Sequence, residues 1–423
     1  RIYHEERQDP ARYLNRGAEG MSNNILILAC VGGFLDKFEK EDVRILKDIG
    51  FDVHYAANMR EQHYIFDPAE FDELGIAAHH IDIERSPYMT GNYLNALLQV
   101  IKIIQQNDIR VIHCHEPVGG VIGRLAGYWC CRHGIPVKVI YTVHGFHFYK
   151  GAPLINNTAY RWAEMFLAHY TDILITINRE DHASGQRLRL KKGGKVYQIP
   201  GVGLDMEHFR PLTPEERKKA RDKLGIGDRF FLVSSGELNE NKNQHIVLEA
   251  LKKMRDEGKD ISGILYGICG DGFFHDRMRE WIREMELQDN VFMYGYCTDI
   301  RPFLGCADAS IFPSHREGMG MAGLEALSMG IPLIASDNRG TREYMVHKEN
   351  GFVFDSRRVE TVVEGIEYMM AMDSTKREKM KKACRQSVRP FEKKCTSEIM
   401  RSVYEEVKEN EKNSEDQCDH RSL

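Results

Sequence analysis

From residue 25 onward, short runs of apolar and β-branched residues alternate with longer segments whose apolar positions recur every three or four residues. Residues 25–30, 51–57, 111–114, 138–143 and 173–177 carry apolar side chains on both faces, the pattern of strands buried within a parallel sheet. Between them lie helical patterns. In 92–106, Leu94, Leu97, Leu98, Ile101 and Ile104 form one stripe, read as packing against a core and not as a membrane face. Strand, helix and strand joined by short connections require right-handed crossovers, which makes a doubly wound sheet.

The rhythm breaks at Ile199-Pro200-Gly201-Val202-Gly203 and the polar stretch 210–228, where an interdomain hinge is expected. A second series then starts. Strands are predicted at 230–234, 263–269, 291–295, 309–313, 332–335 and 351–354, with helices at 244–255, 275–286 and 321–329. The expected division is a polar extension or tag-like segment over 1–20 ending at Met21, and a first Rossmann-like domain over 21–203. A second such domain covers 204–386, a helix 387–409, and a disordered polar tail 410–423. Two α/β domains in tandem leave a cleft between them.

The 423 residues, 42% hydrophobic and 29% charged, describe an ordinary globular chain. A formal charge of -5 repels nucleic acid, so none is expected as a partner. No run of 18 apolar residues and no basic start with an apolar centre is present, which leads to the expectation of a cytoplasmic protein. The ten cysteines, with no Cys-x-x-Cys, read as reduced buried thiols.

Ligands of parallel α/β sheets bind beyond the carboxyl ends of the strands. The most informative exit is 313–327. Gly318 and Gly320 let backbone approach a ligand closely, and the helix start near Met321 offers N–H groups and a positive dipole end to phosphate. Glu317 on the loop can face a sugar ring, and Glu325 within the helix can accept two hydrogen bonds from a ribose diol. At the exit 234–243, beside Gly236, Lys242 can meet a departing diphosphate, whose charge grows in the transition state. His144, after the strand 138–143, can hydrogen-bond the transferred sugar or the acceptor, and Gly32-Gly33 ends the first strand with room for close approach. His113 and His115 alternate onto one strand face, but no further cluster has metal spacing and no Asp-x-Asp motif lies between apolar strands. No metal or other cofactor is expected, with helix dipole and lysine in the place of a divalent cation.

These residues resemble the family-4 retaining glycosyltransferases of the GT-B fold, in particular the bacterial exopolysaccharide and capsule branch, from Met21 to about Glu409. The most specific element is the Glu-x7-Glu signature, matched by Glu317 and Glu325. Thr142-Val143-His144-Gly145-Phe146-His147-Phe148, Ile175-Thr176-Ile177-Asn178-Arg179-Glu180-Asp181 and 199–203 support it. The resemblance implies a hexosyltransferase that moves a sugar, with UDP-sugar the expected donor, to a glycan or lipid-linked saccharide at the inner membrane face. It places Glu317 on the donor sugar, Glu325 on the ribose, Lys242 on the diphosphate and His144 near the transferred sugar. The amides of Gly318, Met319 and Gly320 would face sugar and phosphates, Tyr296 and its loop the base, and the last helix would cross back to the first domain. In place of the usual phosphate arginine stands Glu237, which turns attention to Arg316 and Arg339. The basic run 187–192 is a candidate for anionic lipid. Readings from other classes are an epimerase of the same shape, a non-catalytic subunit, and a dinucleotide dehydrogenase, the last disfavoured because 267–272 has its glycines in the wrong order.

Overall fold

The computed structural model describes residues 22–61, 66–85, 92–149 and 151–419, so Arg1 to Gly20 and Met21 lie outside the described residues. The first sheet is formed by β1 (Asn24–Val31), β2 (Asp52–Asn58), β3 (Ala77–His80), β4 (Val111–His115), β5 (Lys138–Val143), β6 (Ile173–Thr176) and β7 (Lys195–Gln198), in the order β3-β2-β1-β4-β5-β6-β7. All its pairs are parallel. The second sheet contains β8 (Phe230–Ser235), β9 (Ile264–Cys269), β10 (Val291–Gly295), β11 (Ala309–Phe312), β12 (Leu333–Ser336) and β13 (Gly351–Phe354), in the order β10-β9-β8-β11-β12-β13, again parallel. Strand order reverses at β1/β4 and at β8/β11. These reversals open the crevices where ligands of such sheets sit.

β1 is buried over seven of its eight residues, and β4, β6, β9, β11 and β12 are buried throughout, as apolar runs without alternation require. β3 and β7 escape the sequence pattern because both are half-exposed edge strands of four residues with few β-branched side chains. The polar stretch 210–228 is not all linker. Thr213 and Glu216 form a reciprocal capping box that starts the helix Pro214–Lys223, which buries no residue and so shows no apolar period. In the helix Tyr93–Gln106 the buried face runs through Ala96, Val100, Ile101, Ile103 and Ile104, whereas Leu94 and Leu98 are exposed. The stripe expected to pack inward is therefore rotated, two of its five residues facing solvent. Of the described cysteines, all free thiols, Cys131 is exposed and Cys297 and Cys395 are partly so, and the rest are buried.

The chain passes between the sheets twice. After Gly201, held at φ +76°, Leu204 donates to the Phe391 carbonyl at 2.8 Å and accepts from Lys393 at 2.9 Å, so the two passages lie side by side. The final helix, Lys393–Asp419, then packs on the first domain: Arg401 meets Asp48 at 3.0 Å and Tyr404 donates to Asp42 at 2.6 Å. It extends past residue 410, where a disordered tail is expected from the sequence; 411–419 contains neither Gly nor Pro to end it. Residues 420–423 lie outside the described part. No described helix is long and apolar enough to cross a membrane.

Candidate functional site

The exits of β5 and β6 face those of β11 and β12. Gly318 rests on the first domain so closely that a methyl group there would overlap the His144 carbonyl oxygen, which gives glycine at this position a steric reason. Asn178, the cap of a short helix after β6, donates to the Gly318 carbonyl at 2.9 Å. Arg339, after β12, reaches across with Nη1 on Asp181 at 2.8 Å, Nη2 on the Phe146 carbonyl at 2.7 Å and Nε on the Glu317 carbonyl at 3.3 Å. Its guanidinium is buried and each of its three nitrogens bonds to protein, so it latches the two halves.

On the second domain, Lys242 Nζ pairs with Glu317 Oε1 at 2.7 Å, and its stem runs beside Gly236, whose φ of +151° suits glycine. The ammonium also stands 5.5 Å above the Phe312 ring. Gly320, at φ +84°, turns the chain into the helix Met321–Ser328, and only a residue without Cβ fits there against Phe312 and Tyr344. The first N–H groups of that helix have no intrahelical acceptor. Glu325 lies in its second turn. Burial lifts its carboxyl to about 7, opposed by the positive charge of Lys37 from the other domain.

Lys37 was not singled out by sequence reasoning. It sits on the turn after Gly32-Gly33, and its ammonium is pulled down by burial, with Glu325 acting to raise it and Lys242 to lower it further. Three groups from two domains thus share one electrostatic field. The available signal was a lysine four residues beyond a Gly-Gly strand exit. Met319 is buried against Gly201 and Met321 lies beside it, placing both side chains at the chain passage, whereas their amides lie at the helix entrance. Gly236, Gly270 and Gly295 bring the exits of β8, β9 and β10 together, and Tyr296 projects, half-exposed, at that rim. Arg316 stands 5.8 Å from the Tyr149 ring. Glu237 is exposed with its stem on the Gly272 turn, so it leaves Lys242 to Glu317.

The first-domain wall is neutral by comparison. His144 Nε2 lies 3.3 Å from His115 Nδ1, which is 3.4 Å from Glu39 Oε1; Glu39 in turn hydrogen-bonds Asp42. Asp42 accepts from Tyr404, whose hydroxyl meets His113 at 2.9 Å, and His113 meets Thr142 at 2.7 Å. Burial depresses the imidazoles, His144 to about 4 and His113 to about 3, and lifts Asp42 to about 6 and Glu39 further above its usual range. The imidazoles are therefore uncharged near neutral pH. No cluster with metal spacing is legible along the chain, but among the described residues the fold brings together two: Glu39, His115 and His144, and Glu39, Asp42 and His113, each with ligand atoms within 4.8 Å of one another. Glu39 was invisible as a partner because it is remote in the chain. Glu116 was missed as well. It adopts φ +61°, ψ +161°, a conformation that costs a side-chain-bearing residue about 1–3 kcal/mol. Its carboxylate accepts from the Cys30 N–H at 2.8 Å at the end of β1. His147 stacks on Tyr160 and is pushed down to about 4 by burial and the two nearby arginines.

The family described as "Glycosyl transferases group 1" matches residues 216–387, and "Glycosyl transferase 4-like" matches 29–178. EpsD of Bacillus subtilis (strain 168) is 38% identical over 334 residues, 79% of this chain and 84% of that protein. The UDP-Gal:alpha-D-GlcNAc-diphosphoundecaprenol alpha-1,3-galactosyltransferase of Escherichia coli is 28% identical over 297 residues, covering 70% and 74% of the two chains. Among solved structures, Anabaena Alr3699/HepE in complex with UDP and glucose superposes with a TM-score of 0.71 at 17% identity, covering 92% of this chain and 99% of that one. WaaG, a glycosyltransferase involved in lipopolysaccharide biosynthesis, gives 0.68 at 15% identity, covering 90% and 99%.

Proposed function

This chain belongs to the group 1 glycosyltransferases, with the GT-B arrangement of two Rossmann-like domains, and we propose that it transfers a sugar from a UDP-sugar to a lipid-linked saccharide with retention of anomeric configuration and without a metal ion. The observation that carries this reading is the 2.7 Å Lys242–Glu317 pair at the entrance of the helix Met321–Ser328, with Glu325 one turn deeper. An incoming diphosphate competes with Glu317 for the ammonium. The lysine and the helix N-terminus then stabilise the charge that develops as the bond between anomeric carbon and phosphate oxygen breaks. The acceptor hydroxyl adds to that carbon from the same face, and its proton passes to the departing diphosphate. Glu325 accepts hydrogen bonds from the ribose, and uncharged His144 lines the sugar side opposite.

The donor and acceptor follow from likeness alone: the E. coli relative is described as using UDP-Gal and a diphosphoundecaprenol-linked sugar, and the Anabaena neighbour binds UDP and glucose. A panel of nucleotide sugars, with released nucleoside diphosphate as readout, tests the donor. Turnover of UDP-sugars above the others is expected, and an epimerised nucleotide sugar formed without acceptor would replace this reading by an isomerase. Turnover that persists in chelator is the expected result for metal independence. Its loss in chelator, restored by a divalent ion, would direct attention to Glu39, His115 and His144.

A further inference from the structure

The segment from Leu154 to Ala168 forms a π-helical turn continued by the helix Arg161–Ala168. Its outer face carries Leu154, Ile155, Trp162 and Phe166, exposed by 84%, 68%, 70% and 59%, together with Met165. Soluble surfaces scatter large apolar groups singly; here they gather on one element and mark a contact site. The face continues through Tyr170, whose ring lies tilted against Tyr128 at 4.3 Å and meets Phe166 edge-on at 5.4 Å, onto the partly exposed Trp129.

Charge identifies the occupant. From Leu154 to Tyr170 the only carboxylate is Glu164, and it is turned inward to bind Arg124 at 2.6 Å. The exposed face therefore presents no acid. At its end Thr171 accepts a backbone hydrogen bond from Lys191, which docks the basic loop there with Arg187, Arg189 and Lys192 exposed. A tryptophan–phenylalanine face flanked by arginine and lysine matches the boundary between acyl chains and anionic headgroups. A protein partner or a second copy would leave that cationic loop without a stated counterpart.

We propose that this face, Leu154 to Phe166 with the loop 187–192, docks the first domain on an anionic lipid bilayer. The inference deepens the lipid-linked acceptor reading and rests on it for its purpose, while its measurement needs no sugar transfer. The full chain is floated with vesicles of phosphatidylcholine alone or mixed with phosphatidylglycerol. The wild type is expected to bind the anionic vesicles at least tenfold more tightly. The Trp162→Ser/Phe166→Ser variant should lose tenfold or more on those vesicles, and the Arg187→Gln/Arg189→Gln/Lys192→Gln variant should lose the preference for them. Both should hydrolyse nucleotide sugar at the wild-type rate, which also certifies their folding. Equal binding to the two vesicle types, or variants that bind as the wild type does, would overturn the proposal. So would sedimentation showing a wild-type dimer that the serine variant dissolves, since a second copy would then cover the face. A chain that floats as expected but hydrolyses no nucleotide sugar would sink the transferase reading and leave this one standing.

Discussion

The two walls of the cleft solve different problems with different chemistry. On the second domain, charge is set against charge: Lys242 holds Glu317 at 2.7 Å and Glu325 shares the field of Lys37. On the first, the polar groups are sunk beneath the surface, and His144 is backed by His115, Glu39, Asp42 and Tyr404, with its imidazole kept neutral by burial. The charged wall suits a diphosphate that arrives and leaves with its charge. The neutral wall suits hydroxyl groups, which need orientation and not counter-ions. A site assembled this way asks each domain for one kind of recognition.

The comparison breaks most directly at Lys242. Lys242→Ala should lower kcat by about 100- to 1,000-fold with a smaller change in donor KM if, as proposed, its charge meets the leaving group; steady-state kinetics with saturating acceptor check this. Next comes closure. Gly318→Ala should cut kcat/KM by about tenfold or more, since the added methyl must push the His144 carbonyl away, and small-angle scattering should report a wider molecule.

Glu325→Gln should weaken donor binding by about tenfold, the scale of a charge-assisted hydrogen bond to a ribose. A pH series sharpens the point. The carboxyl, ordinarily near 4.5, is raised to about 7 by burial, so stability contributed by its protonated form is intact below 4.5 and is lost as pH rises toward and through 7. The wild type should therefore melt earlier across that window than Glu325→Gln does, by up to about 3 kcal/mol of differential stability. Donor affinity should move the opposite way, strengthening as the carboxylate forms.

On the neutral wall the expected effects are smaller. His115→Ala should lower kcat about tenfold while leaving donor KM near its wild-type value, because His115 acts through His144. A change confined to donor KM would assign it to the other wall. The least is expected at Glu116, where two variants separate strain from hydrogen bonding: both lose the bond to Cys30, but only Glu116→Gly also relieves φ +61°. The glycine variant should be more stable than Glu116→Ala by about 1–2 kcal/mol in urea unfolding.

What could be read from the amino acids follows the same division. Glu317, Gly318, Gly320 and Glu325 span nine residues after one strand exit, so local spacing and loop position were enough to find them. The central strands were legible because burial on both faces leaves continuous apolar runs, whereas β3 and β7, half-exposed at the sheet edges, leave none. Lys37 and Glu39 could not be assigned because their partners in the cleft are remote, Glu325 lying 288 residues from Lys37 and His115 76 residues from Glu39, and a lone lysine or glutamate carries no periodic signal. Arg339 was found as a candidate, but its inter-domain contacts were not legible: a guanidinium near a phosphate site and one that bridges domains have the same sequence appearance. Leu94 and Leu98 teach the converse, since a helical stripe defines a face without saying which neighbour, if any, will cover it.

Leu204, bonded on one side to Phe391 and on the other to Lys393, acts as a rivet through both passages of the backbone. Two backbone passages crossing side by side let the bodies swivel but not drift apart. Met319 packs on Gly201, three residues before Leu204, so the contacts at Gly318 and Arg339 stand near this pivot, and the rims farther out travel the greater arc for a given turn.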